Sequence, residues 1–109
     1  MKTAKLSSMT RGWFIGDFEP SILRTKEFEV GILTHKKGEV WPAHYHNVAT
    51  EYNVLLDGSM RIAGEVINAG DIFWFEPGEI ADPEFLEDCR VCVVKQPSTI
   101  GDKYEVLPQ

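Results

Sequence analysis

Three ionisable side chains in one short stretch are of the types and spacing that hold a metal. His44 and His46 stand one residue apart, and Glu51 follows five residues after His46. Residues two apart on a strand point to the same face, so the two imidazoles share a side and Tyr45 takes the other. Asn47–Thr50 reads as a short turn, after which an antiparallel return brings the Glu51 carboxylate back beside the rings. Two neutral imidazoles and a carboxylate on one face suit Fe(II), Mn(II), Ni(II) or Zn(II). They leave coordination positions open for water or substrate. A His-x-His pair alone is weak evidence, because such pairs also occur as inert surface residues. Strand parity puts Asn53 and Leu55 on the face of Glu51, which makes Asn53 a polar contact for a bound ligand.

The elements that must position these residues read as strands. Val30–His35, Glu51–Leu56, Met60–Ala63, Val66–Asn68, Ile72–Phe75 and Arg90–Lys95 are β-branched, aromatic or alternating runs. Lys37-Gly38, Asp57-Gly58, Gly64-Glu65 and Ala69-Gly70-Asp71 separate them. Asp57-Gly58 has the form of a tight hairpin turn, in which Gly takes the positive φ. Pro20, Pro42, Pro77, Pro83, Pro97 and Pro108 fall outside these runs or at their ends, where a missing N–H costs no ladder bond. Asp82–Leu86 reads as a single helical turn, with Asp82 as N-cap and Pro83 in the first position. Short strands at spacings of about ten residues indicate an all-β sandwich or barrel.

The spacing of the glycines around the ligands adds a resemblance. Gly38, His44, His46, Glu51 and Gly58 fall at the intervals of the first cupin motif, over the segment Gly38-Glu-Val-Trp-Pro-Ala-His44-Tyr-His46-Asn-Val-Ala-Thr-Glu51-Tyr-Asn-Val-Leu-Leu-Asp-Gly58. The chain resembles the cupin superfamily over about residues 28 to 95. That resemblance implies a single jelly-roll β-barrel within one domain spanning residues 1–109, with terminal segments outside the barrel. It implies that His44, His46 and Glu51 project inward onto a divalent metal, and that the chain forms a homodimer. The second cupin motif departs from the pattern. Gly70 and Gly78 occupy its glycine positions, but Glu76 stands in the proline slot, Ala81 in the histidine slot and Phe85 in the asparagine slot. The fourth ligand is therefore absent, and the neighbouring Asp82 is the candidate substitute. Among the aromatics, Trp74 is a candidate to stack on a ligand ring if it faces inward.

Composition bounds the partners. The 109 residues carry 11 Lys and Arg against 17 Asp and Glu, a net charge of −6. Such a surface repels nucleic-acid phosphates and anionic membrane, so neither is expected as a partner. Residues 1–8 contain no apolar run of the secretory kind, and the expected location is cytoplasmic. Cys89 and Cys92 have C-x-x-C spacing. Their valine-rich surroundings predict a strand, which sends the two thiols to opposite faces rather than into a redox pair. His35 reads as an exposed residue before the basic turn Lys36-Lys37. The segments 11–21 and 97–104 are distinctive, and the expectation is that they cover sheet edges. The function expected is a cupin that binds a divalent metal and binds or acts on a small polar organic ligand, a sugar or an organic acid. The alternative is a non-catalytic binding protein without a working metal site.

Overall fold

The computed structural model describes residues 1–106. Ten strands follow in order: β1 Trp13–Ile15, β2 Glu29–His35, β3 His44–Tyr45, β4 Thr50–Asp57, β5 Ser59–Ile62, β6 Glu65–Asn68, β7 Ile72–Phe75, β8 Glu84–Phe85, β9 Cys89–Gln96 and β10 Tyr104–Glu105. The helical content among the described residues is one 3-10 turn, Leu6–Ser8. Among the described residues no helix is long and apolar enough to cross a membrane. The six strands read from sequence are all present, each within about a residue of its expected ends.

A five-stranded sheet in the order β1-β2-β9-β4-β7 faces a three-stranded sheet in the order β6-β5-β8, and β10 pairs with β3 beside them. Every pairing between named strands is antiparallel. The core lies between the two larger sheets. Leu55, Cys89, Val91 and Val93 come from the five-stranded sheet, and Met60, Ile62 and Phe85 from the three-stranded one. Along β9 the inward residues Cys89, Val91 and Val93 are buried while Arg90 is exposed, the alternation expected of a sheet with one covered face. Cys89 and Cys92 are both free, as their opposite parity requires.

Two turn readings are corrected. Asp57-Gly58 does not close a hairpin, because β4 belongs to the five-stranded sheet and β5 to the three-stranded one. Gly58, at φ 88°, lies where a Cβ would strike the Asp88 carbonyl, so it serves a close backbone crossing between sheets. The hairpin proper is Ala63-Gly64, with φ 51° and 78°, the double positive φ of a type I′ turn between β5 and β6. Asp82–Leu86 is not a helical turn either. Glu84–Phe85 is strand β8, paired with Arg61 and Met60. An extended chain is what carries the Phe85 ring into the core and Glu84 out to the Arg61 guanidinium at 2.9 Å.

The terminal segments do cover edges, but they also reach the interior. β1 pairs with β2, where Gly31 leaves room for the Trp13 ring; a Cβ there would sit 2.7 Å from it. β10 pairs Tyr104 with Tyr45 and Glu105 with His44, and the two tyrosine rings stack at 5.5 Å. The terminal segments therefore do not lie wholly outside the barrel. Residues from both ends line the cavity described next.

Candidate metal centre and ligand cavity

A cavity of about 750 Å³ lies among the sheets, and His44, His46, Glu51, Asn53, Ala81 and Lys95 are in its wall. Strand parity on β4 turns Glu51, Asn53 and Leu55 inward, and the structure places them so: Asn53 and Leu55 are buried, and Tyr52, between Glu51 and Asn53, is exposed. The Asn53 amide donates to Glu51 Oε2 at 3.2 Å, which fixes the carboxylate.

His46 is only 5% exposed. Its Nδ1 donates to the main-chain carbonyl of Asp102. A carbonyl only accepts, so Nδ1 carries a proton, and in the neutral form of the ring the lone pair of Nε2 points inward. That Nε2 is the one buried side-chain nitrogen or oxygen among the described residues without a hydrogen-bond partner. It lies 3.6 Å from Glu51 Oε1, beyond hydrogen-bond reach. His44 is on the same wall; its Nδ1 is 3.2 Å from the Pro42 carbonyl, and its ring centroid is 5.5 Å from that of His46.

The charges on this wall act on one another. Burial holds His44 below the usual imidazole value, which favours the neutral ring. Burial also works against the Glu51 charge, but the facing His46 ring, Lys95 and the Asn53 amide outweigh it and hold the carboxyl below its usual value. The Glu51 carboxylate facing the His46 ring raises the latter. Lys95 Nζ stands 4.0 Å from Glu51 Oε1 and 3.9 Å from Glu29 Oε1.

These residues fit a divalent metal by donor type and by the orphaned Nε2 of His46 beside the Glu51 carboxylate. They are not drawn into a closed shell: among the described residues no three His, Cys, Asp or Glu side chains converge at metal-binding distance. Ala81 stands directly across the backbone from His44. Each donates its N–H to the other's carbonyl, at 2.9 and 2.7 Å, and the Ala81 methyl is buried in the cavity wall.

Three expectations are corrected. Trp74 is on the outer face of β7 and 56% exposed, while its neighbours Phe73 and Phe75 line the cavity. The sequence does not reveal which face of Ile72–Phe75 is inner; pairing of Glu51 with Phe75 and Asn53 with Phe73 decides it. Asp82 is exposed and turned away, where its Oδ1 accepts the Ala63 N–H at 3.0 Å and supports the β5–β6 turn. It does not replace the missing ligand. His35 is not an exposed histidine: it lines the cavity, stacks on Phe85 at 4.2 Å between centroids and hydrogen-bonds Glu39 at 2.5 Å.

Sequence reasoning missed two residues. Asp102 holds His46 through its carbonyl, and its carboxylate accepts the N–H groups of Asn47, Val48 and Ala49 at 2.9 to 3.2 Å. Those three amides form the turn between His46 and Glu51. Lys103, next along, also lines the cavity. The only trace of either in the sequence is the unusual Gly101-Asp102-Lys103 segment, 56 residues beyond His46.

No family model matches the chain, and no curated protein sequence does. Solved structures do. A conserved protein with a double-stranded β-helix domain from Klebsiella pneumoniae superposes with TM-score 0.68 at 21% identity, over 78% of this chain and 75% of that one. An RmlC-like cupin from Ralstonia eutropha gives 0.58 at 19%, over 67% of this chain and 50% of that one. Oxalate decarboxylase from Bacillus subtilis gives 0.66 at 17%, over 74% of this chain and 24% of that one. The chain thus spans half of the Ralstonia protein and about a quarter of the decarboxylase. At these identities the likeness establishes the fold: the chain is a cupin-type double-stranded β-helix.

Proposed function

We propose that the protein binds a divalent metal ion through His44, His46 and Glu51 and holds a small organic ligand beside it in the barrel. The observation that carries this reading is the buried, unpartnered Nε2 of His46 facing the Glu51 carboxylate. Leaving such a nitrogen unpaired in the interior costs roughly 1–3 kcal/mol, and a metal or ligand removes that cost. A metal bound there supplies Lewis acidity toward an oxygen of the ligand. The chain's own residues supply the rest. The Asp102 carbonyl fixes the His46 tautomer, and the Asn53 amide orients Glu51. Phe73, Phe75, Val91 and Val93 give the cavity an apolar wall that limits water. Metal content by elemental analysis, on protein purified without chelator, tests the reading; the expected result is close to one divalent ion per chain.

A second reading is a metal-free binding protein on the same fold. It is favoured by the Lys95 ammonium, 4.0 Å from Glu51 Oε1, where it shares the carboxylate a metal would need. In that case Lys95 and Glu51 act as a fixed ion pair that orients a polar ligand. Protein that takes up no metal, even after reconstitution with Fe(II), Mn(II), Ni(II) and Zn(II), supports this second reading over the first.

A further inference from the structure

The chain carries a net charge of −6, yet Arg11, Lys95 and Lys103 all line this one cavity. Lys95 is engaged by Glu29 and Glu51. Lys103 is not: among the described residues its ammonium makes no salt bridge or hydrogen bond and lies over the face of the Trp41 ring, 4.5 Å from the centroid. Its backbone is fixed on both sides. Asp102 before it is pinned through carbonyl and carboxylate, and Tyr104 after it is paired with Tyr45 in β10–β3. A cation held over an indole face in the wall of a cavity, without an anion of its own, is placed to receive one from a ligand.

The remainder of the wall decides what that anion is attached to. Most of it is apolar, with Trp13, Phe73, Phe75, Val91 and Val93 among the lining, and several of its polar side chains are engaged with one another, His35 with Glu39 and the Asn53 amide with Glu51. A sugar needs many paired donors and acceptors along its ring, and hydroxyls buried without them are costly. An organic acid with a hydrocarbon or aromatic body needs one charge partner and apolar surface. We infer that the cavity takes a small carboxylic acid with an apolar body, and that Lys103 receives its carboxylate. This rests on reading the cavity as the ligand site, and it selects the organic acid over the sugar.

The test is calorimetric titration of metal-free protein, kept in chelator, with phenylacetate and with its neutral counterpart phenylacetamide. Wild-type protein is expected to bind the acid about tenfold tighter than the amide, a difference typical of one partly shielded charge-assisted contact. Lys103→Met, which keeps the length and removes the charge, should bind the two alike. Lys103→Arg should restore the preference, which a merely structural role for Lys103 would not require. Equal binding of acid and amide by the wild type, no binding of the acid up to about 10 mM, or a preference that survives in Lys103→Met each overturns the inference. Titration of the same wild-type protein with Mn(II) or Zn(II) alone separates this from the metal reading. Metal uptake without acid preference leaves the metal reading standing and ends this one, and acid preference without metal uptake does the reverse.

Discussion

The Nδ1–H of His46 donates to the main-chain carbonyl of Asp102, 56 residues further along the chain. The same residue's carboxylate gathers the N–H groups of Asn47, Val48 and Ala49. Asp102 thus shapes the turn that separates His46 from Glu51 and sets which nitrogen of His46 faces the cavity. Replacement of Asp102 by Ala removes three hydrogen bonds to a charged acceptor and should destabilise the fold by about 2–4 kcal/mol. It should also weaken metal binding about tenfold or more by loosening the His46 support. Chemical denaturation and metal titration of the variant check both; unchanged metal affinity removes Asp102 from the account of the site.

The Asp102 contribution has a defined pH window. Burial works against its charge, but the three backbone N–H groups outweigh it and hold the carboxyl below its ordinary value near 3.8. A carboxyl lowered in the folded state stabilises fully above its unfolded value, and that stability is lost as pH falls through the folded value. The stability gap between wild type and Asp102→Asn should therefore be constant from about pH 7 to pH 5 and should shrink below about pH 4. A gap that widens on acidification contradicts the assignment.

Much of this arrangement is legible in sequence, and the missing parts share a cause. His44, His46 and Glu51 sit on adjoining strands at local spacings, so parity alone places them on one wall. The same parity places Asn53. The placement of Trp74 and Asp82 is not legible in the sequence, because the face of a short strand such as β7, or of the stretch before β8, is set by its partner strand. For β7 that partner is β4, and local spacing does not reveal it. Asp102 and Lys103 were invisible as site residues for the same reason: they meet His46 and Trp41 only after the chain has closed both sheets. Asp57-Gly58 carries the signature of a hairpin without forming one, because positive φ at Gly serves a sheet-to-sheet crossing as well as a hairpin.

Glu51→Gln keeps the shape of the side chain and the Asn53 contact but removes the charge. Metal affinity should fall about tenfold or more, with the circular dichroism spectrum unchanged, because an amide is a poor ligand for a divalent cation. Equal affinity in the variant identifies Glu51 as a partner of Lys95 rather than a metal ligand.

Ala81 faces His44 across a backbone bridge, with its methyl in the cavity wall. Ala81→His should add a nitrogen donor beside the existing set. The melting temperature should then rise in excess metal by mass action and should not rise in chelator. In chelator, the larger ring at this buried position should cost about 1–3 kcal/mol. A rise of equal size in both conditions is a packing effect and rules out the fourth-ligand position.

Trp74→Gln, on the outer face, should leave both metal and phenylacetate titrations unchanged. Leu55→Ala, at a fully buried position in the core, should cost about 2–5 kcal/mol of stability. Loss of ligand affinity in Trp74→Gln with stability intact contradicts the outward placement of that ring.

The most direct test of the central claim is calorimetric titration of wild type, His46→Ala and Asn47→Ala with one divalent metal under identical conditions. The account predicts one site per chain in the wild type, its loss in His46→Ala and its retention in Asn47→Ala, whose side chain is exposed. A wild-type chain that binds no metal, or a His46→Ala variant that binds it as tightly as the wild type, contradicts the account.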